Sequence, residues 1–189
     1  MKDYDGTEYP DSMVDSSTQF AGIPDGFQRL WTPHRLAYIE RGQSSPEAGP
    51  ECVFCTAPAL TDEQALIVHR GALGYVLLNL FPYNSGHLLV VPYRHVALYD
   101  EATAAETAEI ATLTQTAMRT LTATSHADGF NIGMNQGAIA GAGIAAHLHQ
   151  HVVPRWATDA NFFPIVARTK ALPRLLGEVR DELAAAWPA

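Results

Sequence analysis

Short, largely apolar segments along the chain predict five strands. They lie over residues 65–69, 75–80, 86–92, 130–135 and 147–154. Each is a run of about 4 to 8 residues bounded by turn-forming residues, which is typical of strands rather than helices. The first two strands are separated only by the glycine-bounded turn 71–74. Such short connections favour antiparallel pairing of neighbouring strands.

Helical spacing of apolar residues appears in separate blocks. A helix is predicted over residues 101–125, with one apolar stripe of Ile110, Leu113, Ala117 and Leu121. Another helix is predicted to run to about Glu40, with Thr32 as its N-cap and Pro33 as its first residue. Pro173 opens a C-terminal helix to about Trp187, and its predicted inward residues are Leu175, Leu176, Val179 and Leu183. Helices in blocks beside an antiparallel sheet indicate an α+β fold.

Composition adds a domain boundary and excludes some partners. Of the 189 residues, 47% are hydrophobic, which is enough for one core. Residues 1–26 hold six acidic side chains against one lysine, so we expect a flexible acidic tail there and a single domain over 27–189. The net charge of −8 disfavours nucleic acid and anionic membranes as partners. The net charge is still compatible with an anionic small molecule as a ligand, because a pocket needs only local hydrogen-bond donors to bind it.

Nothing in the sequence resembles a membrane span or a secretory signal. It has no run of about 18 apolar residues, and its beginning is acidic rather than basic and then apolar. Two cysteines do not make a disulfide scaffold. We therefore expect a cytoplasmic protein.

Three histidines separated by single residues carry the strongest chemical signal: His147, His149 and His151. In an extended strand, side chains alternate between faces, so the three imidazoles are predicted to share one face. Three adjacent titratable rings are unfavourable unless an anion or a metal meets them. Before them, residues 137–143 are glycine and alanine except for Ile139, and their backbone N–H groups could approach phosphate oxygens. The alternatives are a structural histidine cluster and a flexible hairpin.

Cys52 and Cys55 have the Cys-x-x-Cys spacing with which two thiolates bind one tetrahedral metal ion. Two more nitrogen or sulfur ligands are needed, and His95 is a candidate for one of them. The alternatives are packed thiols without a metal and a redox-active pair. A thioredoxin-like pair should open a helix in a βαβ unit, which this chain lacks.

His-x-His-x-His followed by apolar residues resembles the signature of the histidine triad (HIT) superfamily of nucleotide hydrolases and transferases. The resemblance runs from about Trp31 to the C-terminus and includes residues 78–87 and 130–137. Arg155-Trp156 and residues 159–162 are similar to the actinobacterial branch of diadenosine tetraphosphate phosphorylases. The resemblance implies a five-stranded antiparallel sheet with a long helix and a C-terminal helix. It also implies a homodimer or a dimer of such dimers.

The resemblance assigns roles to individual residues. His149 matches the nucleophile, His151 the contact to the phosphate or leaving group, and His147 completes the catalytic set. The implied nucleotide-binding residues are Asn79, Asn135, Gly137, Gly141, Ala142, Gly143 and His151. A turn-forming role is the alternative for Asn79, and His87 is expected to be supporting. Many family members have a polar residue where this chain has Ala142 and Gly143, which leaves phosphate binding to backbone donors.

For the metal site, the resemblance supplies the missing ligand. Zinc-containing members and the related galactose-1-phosphate uridylyltransferases pair Cys-x-x-Cys with a histidine and with the first triad histidine. The implied ligands of a structural zinc ion are Cys52, Cys55, His95 and His147. No catalytic metal or organic cofactor is expected.

The expected function is cleavage of a phosphoanhydride bond in a nucleotide such as diadenosine tetraphosphate, through a nucleotidyl-His149 intermediate. Phosphate as acceptor would make the enzyme a phosphorylase, and water would make it a hydrolase. One alternative is a nucleotide-binding sensor or adaptor without catalysis, against which the intact triad argues. Another is a nucleotidyltransferase for a sugar phosphate. The related uridylyltransferases have glutamine at the position of His151, which argues against a sugar-phosphate nucleotidyltransferase.

Overall fold

The described part of a computed structural model comprises residues 52–157, 159 and 174–188 and contains four α-helices, five β-strands and three short 3-10 helices. In chain order the α-helices and strands are α1 (Val53–Thr56), α2 (Asp62–Ala65), β1 (Ile67–Arg70), β2 (Gly74–Leu78), β3 (Leu88–Pro92), α3 (Ala104–Ser125), β4 (Gly129–Gly133), β5 (Gln150–Arg155) and α4 (Leu176–Ala186). The 3-10 helices are Ala57–Ala59, Tyr99–Glu101 and Ala138–Ala140. The predicted acidic tail over 1–26 and the predicted helix from Pro33 lie outside the described residues. Within these residues, no helix is both long and apolar enough to cross a membrane.

The strands form one antiparallel sheet in the order β1-β2-β3-β5-β4. This confirms the predicted α+β fold with a five-stranded antiparallel sheet. The bounds of β5 differ from the prediction, because the strand begins at Gln150 and leaves His147 and His149 before it. The neighbouring strand β3 ends at Pro92, which has no N–H to extend the ladder. Leu148 N–H instead donates to the carbonyl of Val96 at 2.6 Å.

Helix α3 begins at Ala104, three residues later than predicted, because Thr103 is its N-cap. Thr103 Oγ1 accepts from the backbone N–H of Glu106 at 3.2 Å, and the Glu106 carboxylate accepts from Thr103 N–H at 2.8 Å. The predicted apolar stripe of this helix is buried: Ile110, Leu113, Ala117 and Leu121 are all at most 6% exposed.

Helix α4 begins at Leu176, and the prediction that Leu175 faces inward is wrong, since that side chain is 72% exposed. Leu175 is the N-cap and has an extended backbone, so the helical period does not include it. Val179 and Leu183 are buried as predicted. Pro173 lies outside the described residues.

Strands β2 and β3 are buried on both faces. On one face, residues such as Val76, Val90 and Leu121 form a core with α3 and α4. On the other face, Tyr75, Leu89 and Val91 pack with Cys52 and Phe54. Leu89 is directly opposite His151 in the β3–β5 register, so the imidazole of His151 belongs to the second face. The candidate site therefore lies on the side of the sheet opposite α3.

Candidate active site and metal centre

One ring nitrogen of His149 makes a hydrogen bond within the protein, and the other is available to a ligand. Its Nδ1 lies 2.8 Å from the carbonyl oxygen of His147, and because a carbonyl only accepts, Nδ1 carries the hydrogen. Nε2 is therefore left with its lone pair when the ring is neutral. The side chain is 6% exposed, and burial lowers its pKa against the opposing effect of the hydrogen bond. The ring is thus a neutral imidazole near pH 7, the form that can act as a nucleophile.

His151 lies beside His149, with ring centroids 5.0 Å apart. Its Nδ1 is 2.9 Å from Nε2 of His87. Its Nε2 is buried and has no hydrogen-bond partner among the described residues. Burial, reinforced by the neighbouring His149, lowers the pKa of His151 to about 4. The site therefore presents a buried polar atom that a ligand could satisfy.

His87, which the sequence analysis expects to be supporting, is fully buried and contacts the triad directly through His151. Its Nδ1 accepts a hydrogen bond from the backbone N–H of Tyr83 at 3.0 Å. The Tyr83 ring covers both imidazoles, at 4.8 Å from His87 and 5.7 Å from His151. His87 lies near the start of the predicted strand over 86–92, but the sequence did not indicate its contact with His151.

Asn79 has internal partners on both ends of its amide. Its Oδ1 accepts from the backbone N–H of Phe81 at 3.0 Å, and its Nδ2 lies 3.3 Å from Nδ1 of His87. The first contact is the turn-forming role that was the alternative for this residue. The predicted contact between Asn79 and a ribose stays a prediction.

The small-residue segment over 137–143 follows β4, whose last residue, Gly133, is paired with His151. Gly137 and Gly141 have φ angles of +78° and +81°, a region that glycine adopts without a Cβ clash. Ala142 is fully buried. This arrangement matches a tight backbone loop next to the triad strand, while the phosphate contacts of Asn135, Gly143 and their neighbours stay predictions.

Four side chains converge on a second centre beside the triad. Cys55 Sγ lies 3.2 Å from His95 Nδ1 and 3.5 Å from His147 Nδ1, and Cys52 Sγ lies 3.4 Å from His147 Nδ1. The four ligand atoms are all within 4.8 Å of one another. In a tetrahedral zinc site, bonds of about 2.3 Å to sulfur and about 2.05 Å to nitrogen separate these atoms by about 3.6 Å. The donor set and its spacing therefore fit zinc.

The protonation pattern of His147 also fits a metal ligand. Its Nε2 donates to the carbonyl oxygen of Pro92 at 3.0 Å, which directs the lone pair of Nδ1 toward the two thiols. Burial lowers the pKa of His147 to about 4, so the ring is neutral as a ligand must be. All four sequence-predicted ligands are thus brought together. His147 belongs to this centre, whereas the rings of His149 and His151 lie edge-on to each other.

Comparisons with known proteins agree with this geometry. A family model described as HIT domain matches residues 61–158. A Mycobacterium tuberculosis protein named AP-4-A phosphorylase is 46% identical over 170 residues, covering 88% of this chain and 87% of that protein. A Schizosaccharomyces pombe protein named asymmetrical bis(5'-nucleosyl)-tetraphosphatase is 30% identical over 93 residues, 49% of this chain and 50% of that protein. Among solved structures, a Zn-bound histidine triad family protein from Mycobacterium smegmatis matches with a TM-score of 0.60 and 28% identity, covering 72% of this chain and 93% of that one.

Proposed function

The chain belongs to the HIT domain family, and we propose that it is an enzyme that cleaves a phosphoanhydride bond of a nucleotide. The observation that carries the proposal is the buried imidazole of His149, whose Nδ1 is committed to a backbone carbonyl and whose Nε2 keeps its lone pair. The name of the M. tuberculosis relative supports an adenine nucleotide such as diadenosine tetraphosphate as the substrate.

The proposed reaction has two steps. The lone pair of His149 Nε2 attacks the α-phosphorus, an N–P bond forms, and the bond to the bridging oxygen breaks, so that the remaining polyphosphate leaves with the electron pair. An acceptor oxygen then attacks the same phosphorus, and the N–P bond breaks to restore the imidazole. We propose inorganic phosphate as the acceptor, which makes the enzyme a phosphorylase, in keeping with the relative's name.

Other residues of the site hold the nucleotide in this proposal. His151 Nε2, buried beside His149, contacts the phosphoryl group. Asn135 and the backbone N–H groups of the loop over 137–143 bind phosphate oxygens, and Asn79 binds the ribose. The last of these contacts requires a lone pair of Asn79 Oδ1 that the turn to Phe81 does not use.

We propose that Cys52, Cys55, His95 and His147 hold a structural zinc ion. When bound, zinc with these four ligands leaves no open coordination position, so it supplies structure rather than an activated water. His147 would then connect two functions. Its Nδ1 is a ligand, and its carbonyl oxygen orients the ring of His149.

We further propose a single domain over 27–189 with an acidic tail over 1–26, assembled as a homodimer or a dimer of dimers. Strand β4 supports the assembly, because it lies at an edge of the described sheet and Ile132 on it is 46% exposed. An unpaired edge with apolar side chains is a common place for association.

The experiment that tests the function uses diadenosine tetraphosphate with and without inorganic phosphate, with products identified by mass. ADP and ATP formed only when phosphate is present would support a phosphorylase. AMP and ATP formed without phosphate would identify a hydrolase. Absence of cleavage together with absence of a nucleotidyl adduct on His149 would contradict the proposed enzyme.

A further inference from the structure

The hydrogen bonds around His87 have only one consistent direction when both rings are neutral. The backbone N–H of Tyr83 can only donate, so Nδ1 of His87 must be the acceptor and carry no hydrogen. The amide nitrogen of Asn79 approaches the same Nδ1 at 3.3 Å, as a second donor would. The hydrogen of a neutral His87 ring is therefore on Nε2.

The direction of the next bond follows. His87 Nε2–H donates across 2.9 Å to Nδ1 of His151, which must be unprotonated to accept it. The hydrogen of His151 is then on Nε2, the buried atom that has no partner among the described residues. His149 has the opposite arrangement, because its Nδ1 carries the hydrogen. Two adjacent imidazoles are thus held in opposite tautomers, because Nε2 has a lone pair in His149 and carries the hydrogen in His151.

We propose that His87 is a positioning residue that holds His151 as a neutral Nε2–H donor, so that His151 stabilises the phosphoryl group by a hydrogen bond but transfers no proton. This inference rests on the proposed function. Its consequence is a restriction on the leaving group and on the acceptor: the first must leave as an oxyanion, and the second must attack as one. Protonation of His151 on its second ring nitrogen, Nδ1, is disfavoured, because that hydrogen would meet the Nε2–H of His87.

The balance of the reaction fits that restriction. In the first step the leaving polyphosphate takes the electron pair of the P–O bond and is stable as an anion, so no proton is needed. An amine leaving group would need a proton, and a neutral imidazole is a far weaker acid than an imidazolium. In the second step a phosphate oxygen attacks as an anion. Water would have to lose a proton, and Nε2 of His151 already carries one.

The tautomers can be measured without turnover. Long-range proton–nitrogen NMR spectra of the full chain labelled with ¹⁵N-histidine distinguish a protonated from an unprotonated ring nitrogen. At neutral pH we expect a protonated Nε2 and an unprotonated Nδ1 for His151, and the reverse for His149. A protonated Nδ1 on His151, alone or in an imidazolium, would overturn the inference even if the protein cleaves nucleotides.

The kinetic test compares leaving groups across matched variants. Adduct formation on His149 is measured with diadenosine tetraphosphate and with an adenosine 5'-phosphoramidate of an aliphatic amine. His87→Gln keeps an N–H for Nδ1 of His151, whereas His87→Leu removes it, and His126→Gln is a control at an exposed histidine. We expect the wild type, His126→Gln and His87→Gln to prefer the phosphate leaving group by at least about 10²-fold.

In His87→Leu we expect that preference to fall at least about tenfold and the fraction of adduct released to water as AMP to rise. An unchanged preference and an unchanged AMP fraction in a folded His87→Leu protein would overturn the inference. If that variant does not fold, the wild-type NMR spectrum still decides. If the wild type forms no adduct at all, the proposed function fails, while the tautomer measurement stands on its own.

Discussion

The ring of Phe54 lies against the imidazole of His149, with centroids 5.0 Å apart and planes inclined by 45°. Phe54 is 4% exposed and stands between the two cysteines of the candidate metal centre. It also meets the ring of His147 edge-on at 5.5 Å. The short helix α1 and its N-cap residue Cys52 thus supply both thiols and a wall of the pocket around His149, so that ordering of the metal centre also fixes the position of that ring.

Replacing His149 by alanine should abolish turnover and leave the fold intact. The lost group is the only proposed nucleophile, and removal of a covalent nucleophile costs several orders of magnitude in rate. Turnover of diadenosine tetraphosphate is measured together with nucleotide affinity by calorimetry, which we expect to change little. A variant that keeps more than about a tenth of the wild-type rate would show that His149 is not the nucleophile.

A nucleoside monophosphate soaked into crystals should bind between residues 137–143 and the triad. Backbone N–H groups and the His151 donor are predicted to converge there, whereas the net charge of −8 repels anions elsewhere. The measurement is the electron density of AMP and its contacts to His149 and His151. Density at the Cys52–Cys55 turn or on residues 1–26 instead would contradict this binding mode.

One zinc ion per chain is expected in protein purified without chelators. Removal of the ion should lower the melting temperature more than it lowers the rate of adduct formation, because binding energy at a closed site is folding energy. Metal content is measured by mass spectrometry, and Cys55→Ser should reduce it while Thr56→Ser, a neighbouring control, should not. Less than about a tenth of an equivalent of zinc in the wild type would mean packed thiols.

Acid should weaken the fold through Glu106. Two hydrogen bonds from Arg94, at 2.9 and 2.7 Å, and those from Thr103 lower the pKa of this carboxyl to about 2. A depressed folded-state pKa contributes stability that is present above the ordinary value of 4.5 and is lost as the pH falls toward 2.

Glu106→Gln should therefore cost about 1 to 3 kcal/mol of unfolding free energy at pH 7. The difference between variant and wild type should shrink as the pH is lowered from about 4.5, which denaturant titrations at several pH values measure. A difference that is the same at pH 7 and pH 3 would contradict the assignment. Glu101→Gln offers a comparison at an exposed acid near the same helix end.

A homodimer should appear in light scattering as twice the 20.5 kDa chain mass, and a tetramer would fit a dimer of dimers. Strand β4 is the edge that we expect to be covered, so Ile132→Lys should shift the mass toward one chain by placing a charge there. A wild-type mass near 20.5 kDa would contradict the proposed assembly.

Much of the sheet could be predicted, because its strands are short apolar runs bounded by turn-forming residues, a pattern typical of strands. The four metal ligands could be named as well, because the Cys-x-x-Cys spacing offers two thiolates, His95 was a candidate third ligand, and the family resemblance supplied His147. The ends of strands and helices could be predicted less well. The start of β5 depends on Pro92 of a neighbouring strand. The exposure of Leu175 depends on which residue begins the helical part of α4.

The contacts that orient the histidines could not be predicted, because they join residues that sequence spacing does not relate. His87 and His151 are 64 residues apart and meet only through the register of β3 with β5. Phe54 reaches His149 because α1 folds back onto the sheet. Residue type alone also does not tell which ring nitrogen carries the hydrogen. That depends on a backbone N–H in one case and a carbonyl in the other.

The separation of the metal ligands along the chain has a consequence for folding kinetics. Cys55 and His95 are 40 residues apart, and Cys52 and His147 are 95 apart. In the unfolded chain only the cysteine pair is preassembled, and His147 arrives after β3 and β5 have paired. The entropy of closing that long loop has by then been lost, so an ion would bind the finished sheet rather than an open chain. We therefore expect zinc to slow unfolding while leaving the folding rate almost unchanged, as contacts that form after the transition state do.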